Sequence, residues 1–193
     1  KDPLGLDNET YILTVSSNGK LVLKLYTKRT SEAVQRITNL QNYLAGKGMP
    51  VPRIEQIPNQ ALVVQEYITG QHVSIFNDAM IEEIATLMRD IHSIKIPKSL
   101  VVENNEFEYD RYFRMCKTWD LTSKLKDIYE NVDLSYRNKI PQVFIHGDII
   151  PANLLFTNNH ISGLLDWDHA GLGLRLYEIA RAQIFFAYNK STN

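Results

Sequence analysis

The chain has 193 residues, 44% of them hydrophobic and 22% charged, which fits one large or two small soluble globular domains around a sizeable core. A net charge of −1 gives no electrostatic ground for nucleic acid or a membrane surface as partner, and no apolar run reaches the roughly 18 residues of a membrane span. The single cysteine, Cys116, excludes an internal disulfide and a multi-cysteine zinc site, and it points to a reducing compartment, the cytoplasm.

The first third reads as strands around one helix. ETYILTV and KLVLKLY both alternate and flank the turn SSNGK, so residues 9–26 predict a hairpin. Alternation leaves Lys24 between Val22 and Tyr26 on one face, where it is either a solvated lysine on an edge strand or an inward-facing one. Ala33, Ile37, Leu40 and Leu44 then recur at helical spacing, with Thr30 or Ser31 as N-cap and Gly46–Gly48 as the close. PVPRIEQIP is extended because proline and the residue before it disfavour helix, and ALVVQEYI is a further strand ending at Thr69-Gly70. The order strand, strand, helix, strand, strand predicts a small α+β lobe over 1–68, followed by a second lobe over 69–193.

Beyond Gly70 the period lengthens. Met80, Ile81, Ile84, Leu87, Met88 and Ile91 form one stripe of FNDAMIEEIATLMRDIHSI, with Glu82, Glu83 and Arg89 opposite. Further helices are expected around 111–125 and 126–137. The apolar segment FIHGDIIPANLLF follows, then the turn TNNH, a strand ISGLLDW and a helical ending LRLYEIARAQIFFAY.

FIHGDIIPANLLF places His146, Asp148 and Asn153 among residues that build buried strands, where an unsatisfied polar group is costly. Asp166 lies thirteen positions beyond Asn153, across a hairpin that brings the two together. A carboxylate and an amide oxygen are hard ligands of the kind magnesium accepts while keeping waters and phosphates. Asp148, on the loop before the hairpin, can then face a hydroxyl beside that metal, which is the division of labour phosphoryl transfer needs.

HGDIIPANLLF…ISGLLDWDHAG resembles the aminoglycoside phosphotransferase and choline kinase-like family. The resemblance extends outward through LVLKLY, KGMPVPR, LVVQEYITG and IATLMRDIHS, in the family's order. It implies a bilobal protein-kinase-like α+β fold, with a small antiparallel-sheet N-lobe and a mostly helical C-lobe. It also implies transfer of the γ-phosphoryl of ATP, with Mg²⁺, to a hydroxyl of a small molecule of aminoglycoside, choline or ethanolamine, homoserine or sugar type. On this resemblance Asp148 is the catalytic aspartate, Asn153 and Asp166 are the metal ligands, and Lys24 holds the α- and β-phosphates. Backbone groups of Glu66 and Ile68 meet the adenine, and His146 is structural. Asp168 either assists the metal or braces its loop. Glu32, the only carboxylate on the first helix, is the candidate partner for Lys24, and the phosphate loop falls at LGLDNETY or SSNGK.

Other residues carry weaker signals. His92 reads as a helix-end packing residue, the acidic stretch ENNEFEYD as a solvated loop, and Tyr109, Tyr112 and Trp119 as helix core rather than a cage for an ammonium group. A protein kinase proper is disfavoured, because the chain has His-Gly-Asp and Asp-Trp-Asp where such kinases have His-Arg-Asp and Asp-Phe-Gly. The remaining alternative is a catalytically silent nucleotide-binding protein on the same fold.

Overall fold

Strand β1 (Asn8–Thr14) and strand β2 (Lys20–Tyr26) form the expected antiparallel hairpin, with Thr10 opposite Lys24 and Ile12 opposite Val22. The computed structural model describes residues 8–16, 19–100, 139 and 141–187. The predicted helices at 111–125 and 126–137, the acidic stretch, Tyr109, Tyr112 and Trp119 lie outside the described residues, as do the first half of LGLDNETY and two residues of the SSNGK turn.

Helix α1 (Ser31–Gly46) begins where Thr30 has extended backbone and its hydroxyl accepts from the Ala33 N–H at 3.3 Å, a conventional N-cap. It ends where Gly48 takes φ +80°, a left-handed conformation in which glycine has no steric penalty. Strands β3 (Ile54–Gln56) and β4 (Leu62–Glu66) complete a four-stranded antiparallel sheet in the order β1-β2-β4-β3. Strand β2 is therefore interior to the sheet, and the edge-strand reading of Lys24 is excluded.

Helix α1 joins two cores. Its first half places Val34 and Ile37 against Tyr26 and Val63 beneath the sheet. Its second half sends Leu40 and Leu44 into the larger core, with Val51, Ile84, Ile91, Leu154, Phe156, Leu164 and Trp167. Each such side chain, fully buried, contributes about 1.5–3 kcal/mol from removal of apolar surface from water.

The second lobe opens with helix α2 (Asp78–Ser93), capped by the Asn77 side chain, which accepts from the Met80 N–H at 2.9 Å. The predicted stripe is buried except for Ile81, which is 39% exposed. Strand β5 (Gln142–Ile145), the hairpin β6 (Leu154–Thr157) and β7 (His160–Leu164), strand β8 (Gly171–Leu174) and helix α3 (Arg175–Ala187) follow. Strand β8, unforeseen in the sequence, pairs antiparallel with β5, and Ile145 faces Gly171.

The link between lobes is stitched to the β6–β7 hairpin. Gln71 and Phe156 exchange backbone bonds at 2.9 Å, and the Thr157 hydroxyl donates to the Thr69 carbonyl at 3.2 Å. Gly70 is required there, since a Cβ would come within 2.4 Å of Ser162 Oγ and 2.9 Å of Leu155 Cβ.

Candidate active site

The segment after β5 turns sharply because Gly147 adopts φ +84°, and Pro151 starts a single 3-10 turn, Pro151–Asn153. His146 is fully buried, and both of its ring nitrogens are used. Its Nδ1 accepts from the Asp148 N–H at 3.2 Å, which leaves Nε2–H to donate to the Leu165 carbonyl at 3.0 Å. The ring packs edge-on to Trp167 at 4.5 Å. Burial holds its pKa below the ordinary 6.5, although Glu178, Asp166 and Asp148 pull the other way, so the ring is neutral. His146 therefore fastens the loop bearing Asp148 to the loop bearing Asp166.

Asn153 completes the fastening. Its amide donates to the Asp148 carbonyl at 2.9 Å and to Asp148 Oδ2 at 3.0 Å, and its backbone carbonyl accepts from the Leu165 N–H at 2.8 Å. Leu154 faces Leu164 across the hairpin, so Asn153 and Asp166 leave it at the same end. Asp166 has φ +61° and ψ +67°, a left-handed conformation that aspartate tolerates better than most side chains and that costs of order 1–3 kcal/mol.

The N-lobe reaches down to this loop. Lys24 Nζ, on a residue only 8% exposed, donates to Asp166 Oδ1 and Asp168 Oδ1, each at 3.0 Å. Burial alone would lower the lysine's pKa; Asp168 and Asp166 outweigh it and raise the value, so the amine stays cationic. Burial raises the Asp166 carboxyl, but Lys24 dominates and holds it below the usual 3.8. Asp168 also accepts from Tyr26 Oη at 3.1 Å and Asn8 Nδ2 at 2.8 Å, and its backbone carbonyl accepts from Arg29 at 3.0 Å.

The two carboxylates thus differ. The Asp168 side chain is 5% exposed and engaged by three N-lobe donors, whereas the Asp166 side chain is 38% exposed. The Asp166 carboxylate and the side-chain amide oxygen of Asn153 are the pair with the chemistry to hold a magnesium ion. Among the described residues no three His, Cys, Asp or Glu side chains gather as a closed metal cage. Two protein oxygens fit Mg²⁺ when it keeps waters and substrate phosphates in its shell.

Glu32 is a correction. It is exposed in the first turn of α1, where the Thr30 side chain and Arg36 are its partners, and the bonds of Lys24 go to Asp166 and Asp168 instead. The helix begins at Ser31, so Glu32 lies too early to reach the cleft. At the link between lobes, the Glu66 N–H already donates to the Arg53 carbonyl at 2.9 Å.

Four residues that the sequence did not single out join the cluster. Asn8 and Tyr26 hold Asp168. Glu178, 1% exposed on α3, accepts from the Gly147 N–H at 2.6 Å and bonds His92 Nε2 at 2.6 Å, so the residue expected merely to pack a helix end has a buried partner. Arg181, one helical turn on, donates from Nε to Asp148 Oδ1 at 3.0 Å and from Nη2 to the same oxygen. The available signal was Glu178 and Arg181 three apart, hence on one helix face, within a mostly apolar ending.

A family model described as the phosphotransferase enzyme family matches residues 2–191. The chain is 25% identical over 215 aligned positions to homoserine kinase of Brucella ovis, covering 97% of this chain and 64% of that protein. It therefore spans just under two thirds of the length of that relative. Among solved structures, a macrolide 2'-phosphotransferase from Brachybacterium faecium superposes with a TM-score of 0.71 at 18% identity, covering 94% of this chain and 69% of that one. An amicoumacin kinase in complex with AMP-PNP and Ca²⁺ gives 0.69 at 16%, covering 97% and 64%. An ethanolamine kinase of Plasmodium vivax gives 0.65 at 18%, covering 94% and 61%. These likenesses show the fold, the bilobal α+β arrangement of protein-kinase-like phosphotransferases.

Proposed function

Because the chain belongs to the phosphotransferase enzyme family, we propose that it transfers the γ-phosphoryl group of ATP to a hydroxyl of a small molecule. The observation that carries this reading is the convergence of Lys24, Asp148, Asn153 and Asp166, from both lobes, on one cleft. Lys24, cationic and buried, is the anchor for the α- and β-phosphates and exchanges its carboxylate partners for them. Asn153 and Asp166 hold Mg²⁺, which when bound neutralises charge on the phosphates. Asp148 orients the acceptor hydroxyl and takes its proton as the hydroxyl oxygen bonds the γ-phosphorus and the bond to the β-phosphate oxygen breaks, releasing ADP. The carbonyl of Glu66 and the N–H of Ile68 are placed by this reading at the adenine edge.

Homoserine is the acceptor to test first, on the strength of the Brucella relative. Residues 1–68 form the nucleotide lobe and 69–193 the catalytic lobe, and a chain with one cysteine suits the cytoplasm. A second reading, nucleotide binding without transfer, is favoured by one observation: no carboxylate of α1 bonds Lys24.

One experiment separates the two. ATP is titrated calorimetrically with and without Mg²⁺ into the wild type, Asp166→Asn and Asp148→Asn, and turnover is measured with homoserine, ethanolamine, sugars and aminoglycosides. Magnesium-dependent binding is expected in the wild type and Asp148→Asn and not in Asp166→Asn. Turnover is expected to fall about 10²–10⁴-fold in Asp148→Asn. Binding with no transfer to any acceptor would establish the silent reading, and no binding in any condition would remove both.

A further inference from the structure

Asp148 is held by more donors than a freely presented base would have. A carboxylate offers about four lone-pair sites. Two on Oδ1 are taken by Nε and Nη2 of Arg181, and one on Oδ2 by the Asn153 amide, which leaves a single site on Oδ2. The arginine is itself fixed. It projects from α3 beside the buried Glu178 and Ala182, and its guanidinium lies over the Phe185 ring, one turn further along, at 5.2 Å from the centroid. Its side chain is 30% exposed and that of Asp148 is 14% exposed, so the pair lies at the wall of the cleft rather than deep in the core.

Resting on the transferase reading above, we infer that Arg181 is a positioning residue for phosphoryl transfer: by occupying Oδ1 of Asp148 it leaves only Oδ2 to receive the acceptor hydroxyl. Without it the carboxylate can rotate and present either oxygen, or trade its bond to the Asn153 amide for one to water. In-line attack needs the hydroxyl oxygen held within a fraction of an ångström of its productive position, and a freely turning carboxylate does not supply that. Lysine is an incomplete substitute, because it carries one point of charge and cannot place two N–H groups on a single oxygen in a fixed plane.

The test uses the full chain as Arg181→Ala and Arg181→Lys, with wild-type turnover on the best acceptor from the screen as reference. Arg181→Ala is expected to lower kcat about 100-fold. Its MgATP dissociation constant should stay within about twofold, because the carboxylate it grips, Asp148, is assigned to the acceptor hydroxyl and not to the nucleotide. Guanidinium ion added to Arg181→Ala, and the lysine variant, should each recover part of the lost turnover. Unchanged kcat overturns the inference. So does a fall in kcat that neither guanidinium nor lysine relieves, or one that MgATP affinity follows in parallel, since each marks a general structural role. Failure of the transferase reading looks different: the wild type itself then transfers nothing to any acceptor, and the inference falls with it.

Discussion

Lys24 faces two carboxylates at equal distance, and the balance of burial against charge decides its state. Burial disfavours the ammonium, but Asp168 and Asp166 at 3.0 Å favour it more strongly, so the lysine stays a fixed cation. His146 shows the opposite balance, because burial wins and the ring stays neutral with its Nδ1 as an acceptor. That gives a sign for pH. In the unfolded chain the imidazole titrates near 6.5, whereas in the folded chain it resists protonation, so stability is retained above that pH and falls as pH drops below it. Denaturant midpoints measured at pH 7.5 and pH 5.5 should therefore fall more in the wild type than in His146→Gln, and equal shifts would refute the assignment. The importance of His146 was visible in the sequence, as a polar residue in an apolar run. Its tautomer was not, because that depends on the carbonyl of Leu165, nineteen positions away.

At the scale of elements, helix α3 does more than close the chain's apolar surface. Glu178 accepts from the loop after β5 at Gly147 and bonds the end of α2 at His92, so three elements share one buried carboxylate. Removing it leaves a buried N–H and an imidazole without their partner. Glu178→Ala should accordingly lose roughly 3 kcal/mol in chemical denaturation, with Glu178→Gln losing less because one oxygen remains. A loss indistinguishable from zero in Glu178→Ala would mean that water replaces the carboxylate. Strand β8 was missed for a related reason. GLGL has the glycine content that strands disfavour, yet that content is what its place requires, since a Cβ on Gly173 would meet Ile145 Cδ1 at 2.3 Å.

Across the whole molecule, Asp168 is the residue at which the lobes meet. It accepts from Asn8, Lys24 and Tyr26 in the N-lobe sheet, while its neighbour Asp166 accepts from Lys24 and stays more open. Asp168 was expected either to assist the metal or to brace its loop, and we propose the brace on the strength of those three bonds. The two alanine variants should separate. Asp168→Ala should destabilise the fold by about 3 kcal/mol, because a buried cation loses one of its two carboxylates and two neutral donors lose their acceptor. Asp166→Ala should cost less stability and remove magnesium-dependent ATP binding. Thermal melts and calorimetry on the pair decide it, and equal destabilisation would contradict the division of roles.

Among the described residues, the sequence alone determined the element types apart from strand β8, the two hairpins, the link at Gly70 and the meeting of Asp148, Asn153 and Asp166. All of these follow from short-range rules of period, capping, turn chemistry and strand pairing between near neighbours. Only the tertiary structure decided that Lys24 lies on an interior strand, that Glu32 misses it, and that Asp168, Glu178 and Arg181 brace the cleft. Those outcomes rest on contacts between residues 142 apart for Lys24 and Asp166, 160 for Asn8 and Asp168, 86 for His92 and Glu178, and 33 for Asp148 and Arg181. Periodicity tells which face of its own element a side chain occupies, but the packing of one element on another sets what that face meets.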